Sequence, residues 1–266
     1  MLEDTKKNGQ LVKAKTSSLQ KASSNIISRG LSDLSLLTIE SDVLKYTQSD
    51  AIAYYNSGDD YYDKGQYDMA IENYDKAIAL EPNYSDAYQS RGGLYFNKGQ
   101  YDKAIEDWNK VIVLRPDDSS AYASLGWVYG INGQYEKAIE VCNKAIALNP
   151  SDAYAYAIRA EVYETKDQYD MAIEDFDKAI ALEPKDAAAY KNRGLAYKNK
   201  GQYDMAIENF DKAITLNPNY AEAYNNRGLA YVVSGNMVRA ISDFQKACDM
   251  GSKDGCENLQ MALKEG

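Results

Sequence analysis

The chain has 266 residues, with 30 basic against 40 acidic side chains, so its formal net charge is −10. This balance argues against nucleic acid as a partner, because nucleic-acid binding needs a basic surface. The chain contains no histidine, the commonest general base and metal ligand, and its three cysteines lack the CxxC spacing of a zinc site. We therefore expect neither a cofactor nor a metal.

The sequence also argues against a membrane-spanning segment. No apolar run approaches the roughly 20 residues that a spanning helix needs. The first twenty residues contain no apolar stretch of the kind found in a secretory signal peptide. We expect no direct membrane insertion and a cytoplasmic location. The alternative is an exported or periplasmic location, if a leader has been removed.

Residues 1–50 form an N-terminal segment that precedes the repetitive part of the chain. The first thirty residues are rich in Ser, Lys, Asn and Gln, a composition typical of disorder or of a weak helix. Leu34, Leu37 and Leu44 stand near helical spacing and predict a helix over about 33–47. Such a helix could cap the open end of a repeat array. Alternatively, the segment docks a partner.

A twenty-residue phrase then recurs with a period of about 34 residues, a length that indicates stacked structural repeats. The copies at 65–84 and 201–220 differ at only three places, and related copies stand between them at 99–118, 133–152 and 167–186. The units run 51–84, 85–118, 119–152, 153–186, 187–220 and 221–254.

Each unit is predicted to form two helices joined by a tight turn. In the first unit, Gly65 suits the left-handed residue that ends a helix, and Asp68 suits the N-terminus of the next one. Pro82 then prevents the second helix from continuing. The remaining prolines occupy the same place in the following units: Pro116, Pro150, Pro184 and Pro218.

A small residue recurs in the middle of every first helix. A mid-helix glycine costs about 1 kcal/mol relative to alanine, so its recurrence predicts close approach of the second helix. We expect recurrent alanines of the second helix to form the opposite side of this contact. The first series is Gly58, Gly92, Gly126, Ala160, Gly194 and Gly228, and the second is Ala70, Ala104, Ala138, Ala172, Ala206 and Ala240.

Two other periodic series are predicted to be structural. Tyrosines at two places in each first helix are expected to pack between adjacent helices. Glu–Lys pairs four residues apart are expected to mark the exposed side of the second helices, as in Glu72–Lys76. The tyrosine series begin at Tyr54 and Tyr61 and recur once in each following unit.

Helix-turn-helix units of this length, with small residues at the crossing, neighbouring aromatics and a proline at the junction, resemble tetratricopeptide repeats over residues 51–254. The resemblance implies an all-α fold, a right-handed α-solenoid of six helix-turn-helix repeats with a C-terminal capping helix. The sixth unit departs from the pattern at Met237, Ser242 and Ser252, as expected of a terminal repeat. Cys142 replaces an aromatic residue within the array.

Residues 255–266 are predicted to form the C-terminal capping helix. Asp254 and Glu257 have the spacing of a capping box, and Leu259 and Leu263 continue an apolar stripe.

The tail also contains Cys248 and Cys256. It resembles the Sel-like repeats, whose exported members join such a pair, and this resemblance implies a disulfide. The alternative is that both cysteines are reduced and pack as small apolar side chains.

The family resemblance implies a protein-binding module whose first helices line a concave groove. The first helices also vary between units while the second helices stay nearly constant, so any selectivity is expected on the first helices. Asn192 and Asn226 resemble the asparagines with which relatives hold a peptide backbone; the alternative is that they are ordinary surface residues. Candidate groove residues in the first four units are Tyr55, Asp59, Tyr62, Phe96, Trp127, Tyr154, Glu161 and Glu164. In the last two they are Lys191, Asn192, Leu195, Lys198, Asn225, Asn226, Leu229 and Val232.

We therefore predict a non-catalytic scaffold that binds a peptide or helical segment of a partner protein. The sequence lacks a phosphate-binding loop and any histidine that could activate a nucleophile, so we expect no enzymatic activity. The alternative is a self-assembling or complex-organising subunit that acts through the N-terminal segment and the array ends.

The substitution Ala138→Leu is expected to overpack the helix crossing of the third unit. It should lower the free energy of unfolding by about 1–3 kcal/mol, which a thermal melt followed by circular dichroism will show. A melting midpoint equal to that of the parent chain would contradict a tight contact at Ala138.

Overall fold

The computed structural model describes the backbone of residues 33–265 and the side chains of residues 47–264. The disorder predicted for residues 1–30 concerns residues outside this range. The chain divides into two compact units, one ending at Ala87 and one beginning at Tyr88.

Residues 33–265 form thirteen α-helices and no strand, which confirms the predicted all-α repeat fold. The first unit contains α1 (Asp33–Asp63) and α2 (Tyr67–Leu80), and α3 (Ser85–Asn97) begins just before the second unit. The second unit continues with α4 (Tyr101–Leu114), α5 (Ser119–Ile131), α6 (Tyr135–Leu148), α7 (Ala153–Thr165) and α8 (Tyr169–Leu182). It ends with α9 (Ala187–Asn199), α10 (Tyr203–Leu216), α11 (Ala221–Val233), α12 (Met237–Asp249) and α13 (Lys253–Glu265).

Helix α1 differs from the prediction. The sequence predicts a separate helix over about 33–47 and a repeat beginning at Ala51, but a single helix runs through this boundary. Residues 47–50, Thr-Gln-Ser-Asp, contain neither proline nor glycine, so nothing in the backbone stops the helix there.

The turns within the repeats follow the predicted glycine. Gly65 has a φ of 69°, in the left-handed region, and residues at the equivalent position of four other repeats are also glycines with positive φ. The fourth repeat places Asp167 there, with a φ of 56°. Aspartate tolerates this conformation better than most residues, and the Asp167 carboxylate accepts a hydrogen bond from the Tyr169 hydroxyl.

The close helix crossing exists, but its opposite side is not the alanine series. A Cβ atom added at Gly194 would lie 2.7 Å from Cε1 of Phe210, and one added at Gly228 would lie 2.6 Å from Cε1 of Phe244. An aromatic ring therefore fills the space that each glycine leaves. The predicted alanines stand one turn before the rings on the same helices, and all six are fully buried.

Overpacking by Ala138→Leu therefore remains expected, because the Ala138 side chain has no exposed surface. Ala147 lies exposed on the same helix α6. The substitution Ala147→Leu is the matched control and should leave the melting midpoint nearly unchanged.

The third repeat fills this space with Cys142 instead of a ring. A Cβ atom added at Gly126 would lie 2.5 Å from the Cys142 sulfur, and the thiol is free and buried. Burial raises the pKa of Cys142 from 9.0 to about 12. The unfolded chain therefore ionises first, so the stability gained by keeping this thiol neutral is lost as the pH rises from about 9 towards 12.

A buried arginine–aspartate pair was not predicted from the sequence. The Arg159 guanidinium donates two hydrogen bonds to Asp175, at 2.7 and 2.6 Å, and the Asp175 side chain keeps only 7% of its surface exposed. The arginine lies on a first helix, directly before the mid-helix small residue, and the acid lies on the second helix of the same repeat. The equivalent pairs are Arg91–Asp107 and Arg227–Asp243.

The same arginines also bind the preceding repeat. Arg227 donates to Asp211 at 2.5 Å, and Arg193 makes the equivalent ion pair with Asp177. Tyrosine rings lie on both sides of the guanidinium, as Tyr224 and Tyr231 do at 5.4 and 5.9 Å from Arg227. In the repeats that contain this arginine, members of the tyrosine series thus lie beside its charge, and in the sixth repeat Arg227 joins three helices.

Two repeats have replaced both members of the pair. The third repeat has Leu125 and Val141 at the two positions, and both pack in the local apolar core. The first repeat has Ser57 and Asn73. We expect both members of a buried ion pair to be replaced together, because removing one of them leaves a buried charge without its partner, which is strongly destabilising.

The fifth repeat keeps the arginine but has Asn209 in place of the acid. The Asn209 side-chain oxygen accepts a hydrogen bond from Arg193 at 2.8 Å. The negative charge comes instead from Asp177 of the preceding repeat. Arg193 therefore remains paired with an acid, although not one from its own repeat.

The C-terminal end is closed by α13, although its first turn differs from the prediction. The N-terminal cap is Ser252, whose hydroxyl accepts a hydrogen bond from the Gly255 amide at 3.1 Å, so Asp254 and Glu257 do not form the capping box. Leu259 packs against the core beneath α13, whereas Leu263 is 60% exposed.

A disulfide between Cys248 and Cys256 joins α12 to α13, with the two Cα atoms 4.5 Å apart. The helices meet closely here, because a Cβ atom added at Gly255 would lie 2.6 Å from the Cβ of Ala247.

The buried ion pair gives a testable prediction. Asp175→Ala leaves Arg159 buried without its acid and should cost about 3 kcal/mol of stability. The double variant Arg159→Leu/Asp175→Val copies the residues found in the third repeat and should stay within about 1 kcal/mol of the parent chain. Urea unfolding measures both. A double variant as unstable as Asp175→Ala would contradict this explanation.

Thiol counting tests the cysteine assignments. With iodoacetamide at pH 8, we expect no modified cysteine in the folded chain, because Cys142 is buried and protonated. One should react in denaturant alone and three in denaturant with a reductant. Reaction of three thiols without a reductant would contradict the disulfide, and reaction in the folded chain would contradict burial of Cys142.

Candidate binding surface on the first helices

In the second unit, the first helices of successive repeats form a continuous row. Helix α5 contacts α7, α7 contacts α9, and α9 contacts α11. Each of these helices also contacts the second helix of the preceding repeat. Equivalent positions on neighbouring first helices therefore lie side by side. We call the variable residues of α3, α5, α7, α9 and α11 within this unit the first-helix surface.

An aromatic group lies at one part of this surface. The rings of Phe96 and Trp127 have centroids 4.2 Å apart, and the Tyr101 ring lies 5.7 Å from Phe96. Trp127 remains 38% exposed and Tyr154, on the next first helix, 48% exposed. Trp127 thus presents accessible ring surface beside Phe96, and Tyr154 presents accessible ring surface on the neighbouring first helix.

Two carboxylates follow on α7. Asn192 donates a hydrogen bond to Glu161 at 2.6 Å, and Asn199 donates one to Glu164 at 3.1 Å. Burial raises the pKa of both carboxyl groups. Asn199 was not predicted from the sequence. Its position varies between the first helices, as in Ile131, Thr165 and Val233, and this variation is the signal that could have identified it.

Two lysines lie beyond the carboxylates. Lys191 pairs with Glu222 at 3.3 Å and lies 5.9 Å from the Tyr220 ring centroid. Burial lowers the pKa of Lys198, while the nearby Glu164 opposes this change. Predicted Leu195 is half-buried and packs against the core of α10.

The last repeat contributes less to the surface than predicted. Asn225 is buried and accepts a hydrogen bond from Asn258 of α13 at 2.8 Å, because the closing helix covers it. Asn226 donates to the Glu222 carbonyl of its own helix at 2.9 Å. Leu229 packs against the terminal core, and Val232 is 36% exposed.

The predicted residues of the first unit form a separate aromatic group. The Tyr55 ring lies 5.7 Å from Tyr74 and 5.1 Å from Tyr84. Asp59 accepts a hydrogen bond from the Tyr74 hydroxyl at 2.7 Å. Tyr62 is 46% exposed, and its ring lies close to that of Tyr67.

The described part of the chain contains no group of three or more acidic or cysteine side chains placed to hold a metal ion. None of its helices combines the length and the apolar character that crossing a membrane requires.

Solved structures with a similar fold include proteins of several kinds. A chain of the APC/C hetero-tetramer Cut9–Hcn1 matches with a TM-score of 0.71 and 22% identity over 86% of this chain and 46% of its own. The present chain thus spans about half the length of that relative. MamA matches with a TM-score of 0.55 and 34% identity, over 61% of this chain and 95% of its own.

YrrB, described as a TPR protein with an unusual peptide-binding site, matches with a TM-score of 0.55 and 22% identity over 72% of this chain and 97% of its own. At these identities, Cut9–Hcn1 and YrrB show likeness of fold alone. No curated protein matches the chain.

Three family models match the sequence, two described as tetratricopeptide repeat and one as TPR repeat. One tetratricopeptide repeat model matches residues 119–152 and 187–220. The other matches residues 141–174 and 209–248. The third matches residues 58–98, 92–133 and 165–201. Together they extend from residue 58 to residue 248, well over half of the chain, which therefore belongs to the tetratricopeptide repeat family.

Proposed function

We propose that the chain is a non-catalytic scaffold whose first-helix surface binds a peptide or helical segment of a partner protein. The observation that carries this proposal is the exposed aromatic surface of Trp127, which packs against Phe96, and of Tyr154, whose helix also carries the hydrogen-bonded carboxylates Glu161 and Glu164. Large aromatic side chains are the residues that most often dominate the binding energy of protein interfaces.

The polar half of the surface suits recognition of an extended or helical backbone. Glu161 and Glu164 are held in place by Asn192 and Asn199, so their orientation is fixed before a partner binds. Preorganised groups lose little side-chain entropy on association. The peptide-binding site that names YrrB is consistent with a peptide as the ligand of this fold.

A second candidate function is the organisation of a larger assembly, including self-association. The observation that favours it is α1, a 31-residue helix that begins at Asp33, well before the first repeat at Ala51. Light scattering on the full chain distinguishes the two: a stable multimer supports assembly, and a monomer at high concentration contradicts self-association.

The Cys248–Cys256 disulfide indicates the kind of compartment in which the protein is located. Disulfides persist in oxidising compartments and are rare in the cytosol. We therefore propose the exported or periplasmic location, the alternative to the cytoplasmic one expected from the sequence. Thiol counting on chain isolated from its native host tests this proposal.

Partner capture from the native host tests the binding surface. The double variant Trp127→Ala/Tyr154→Ala removes the exposed rings and should reduce capture of a specific partner at least tenfold, measured by quantitative mass spectrometry. Val113, 72% exposed on α4, provides the control Val113→Ala. Equal capture by the parent and the double variant, with both folded by circular dichroism, would contradict the proposed surface.

A further inference from the structure

Charge is distributed very unevenly along the chain. Residues 1–32 contain six basic and two acidic side chains, whereas residues 33–87 contain three basic and twelve acidic ones. These segments therefore carry net charges of +4 and −9. The remainder of the chain, although much longer, has a net charge of only −5, so the acidic excess is most concentrated in 33–87.

One face of α1 combines this negative charge with exposed apolar surface. Ile52, Tyr55, Asp59 and Tyr62 follow one another at spacings of three, four and three residues, which places them on one side of the helix. Ile52 is 45% exposed and Tyr62 46% exposed. We call this row, with the adjacent Asp60 and Asp63, the α1 face.

The basic side chains described in the first unit are occupied elsewhere. Lys76 pairs with Glu72 at 2.8 Å and lies 5.6 Å from the Tyr54 ring centroid. Lys64 lies 5.7 Å from the Tyr61 ring centroid. Among the described residues, neither Asp60 nor Asp63 has an ion-pair partner.

The first repeat also lacks the arginine found in four of the other repeats. Ser57 occupies that position, so no guanidinium from α1 itself offsets the acids around it. Within residues 47–87, whose side chains the structure describes, the α1 face is therefore an acidic and apolar helix surface on which three aspartates outnumber the single nearby lysine, Lys64.

We propose that residues 1–32 of the same chain bind along the α1 face. Their complementarity is both electrostatic and apolar. Five lysines, Lys6, Lys7, Lys13, Lys15 and Lys21, alternate with apolar residues such as Leu11, Leu19 and Ile26. Lysine can place its charge beside a carboxylate while its alkyl stem covers an aromatic ring. This inference concerns the first unit and stands independently of the proposed function.

The length of the segment permits this binding within one chain. Helix α1 rises about 1.5 Å per residue, so Asp63 lies about 45 Å along the helix from Asp33. The segment before Asp33 can extend to about 100 Å, enough to turn back and follow the face. Covalent connection also gives the segment an effective concentration in the millimolar range, which favours the intramolecular contact over a second copy.

Zero-length carbodiimide cross-linking of the full chain tests the proposal, because this reagent joins a lysine to a carboxylate only when the two are in contact. Mass spectrometry should find amides between the five lysines and Asp59, Asp60 or Asp63. Their yield should fall several-fold between low salt and roughly 0.5 M salt, since salt screens exposed charges. An equal mixture of normal and ¹⁵N-labelled chains identifies links between chains.

The variant Ile52→Ala/Tyr62→Ala removes exposed apolar side chains of the α1 face but keeps all three carboxylates, so the yield of these links should fall several-fold. The control Val113→Ala removes an exposed apolar side chain of α4 and should leave the yield unchanged.

Absence of the links in the folded parent chain would overturn the proposal. Links found only between labelled and unlabelled chains would overturn it in favour of a second copy. Neither result would affect partner capture through Trp127, so failure here is distinguishable from failure of the proposed function.

Discussion

The repeat depends on the close crossing of its two helices, where a small residue on the first helix faces a large side chain on the second. Gly194 and Gly228 leave space that Phe210 and Phe244 fill, and Ala160 packs in one core with Phe176. This contact sets the spacing of the helix pair. It also explains why glycine persists at these two helix positions despite its cost, because a side chain at Gly194 or Gly228 would displace a buried ring.

The crossing leaves one side of each first helix free of the pair's own packing. In the second unit, that side is continued from repeat to repeat by contacts between the first helices. Residues that pack within the helix pair therefore recur in each repeat, whereas residues on the other side of the first helix vary between repeats. The variable group includes Phe96, Trp127, Tyr154, Glu161 and Glu164. Side chains that differ between repeats can distinguish one partner from another, as a selective binding surface requires.

The sequence is sufficient to predict the helices because the glycine and proline positions fix their ends through backbone geometry. It is less informative where contact between distant residues decides. Periodicity alone places the partner of the mid-helix glycine one turn too early, since Ala206 and Phe210 share a face of α10. The burial of Asn225 depends on how α13 packs over it, which no local pattern encodes. The arginine–aspartate series is visible as a period, but its members lie on different helices, so only the fold connects them.

The arginines that join successive repeats have a consequence for how the array responds to its solvent. Arg193 and Arg227 bind acids of the preceding repeat, Asp177 and Asp211, whose side chains are about half exposed, so dissolved ions weaken these junctions. The third repeat has Leu125 instead, and its junction with the second repeat is apolar and aromatic. The stability of the array is approximately a sum of terms for each repeat and for each junction between neighbouring repeats. Added salt should therefore weaken the ionic junctions and leave the apolar junction between the second and third repeats nearly unchanged.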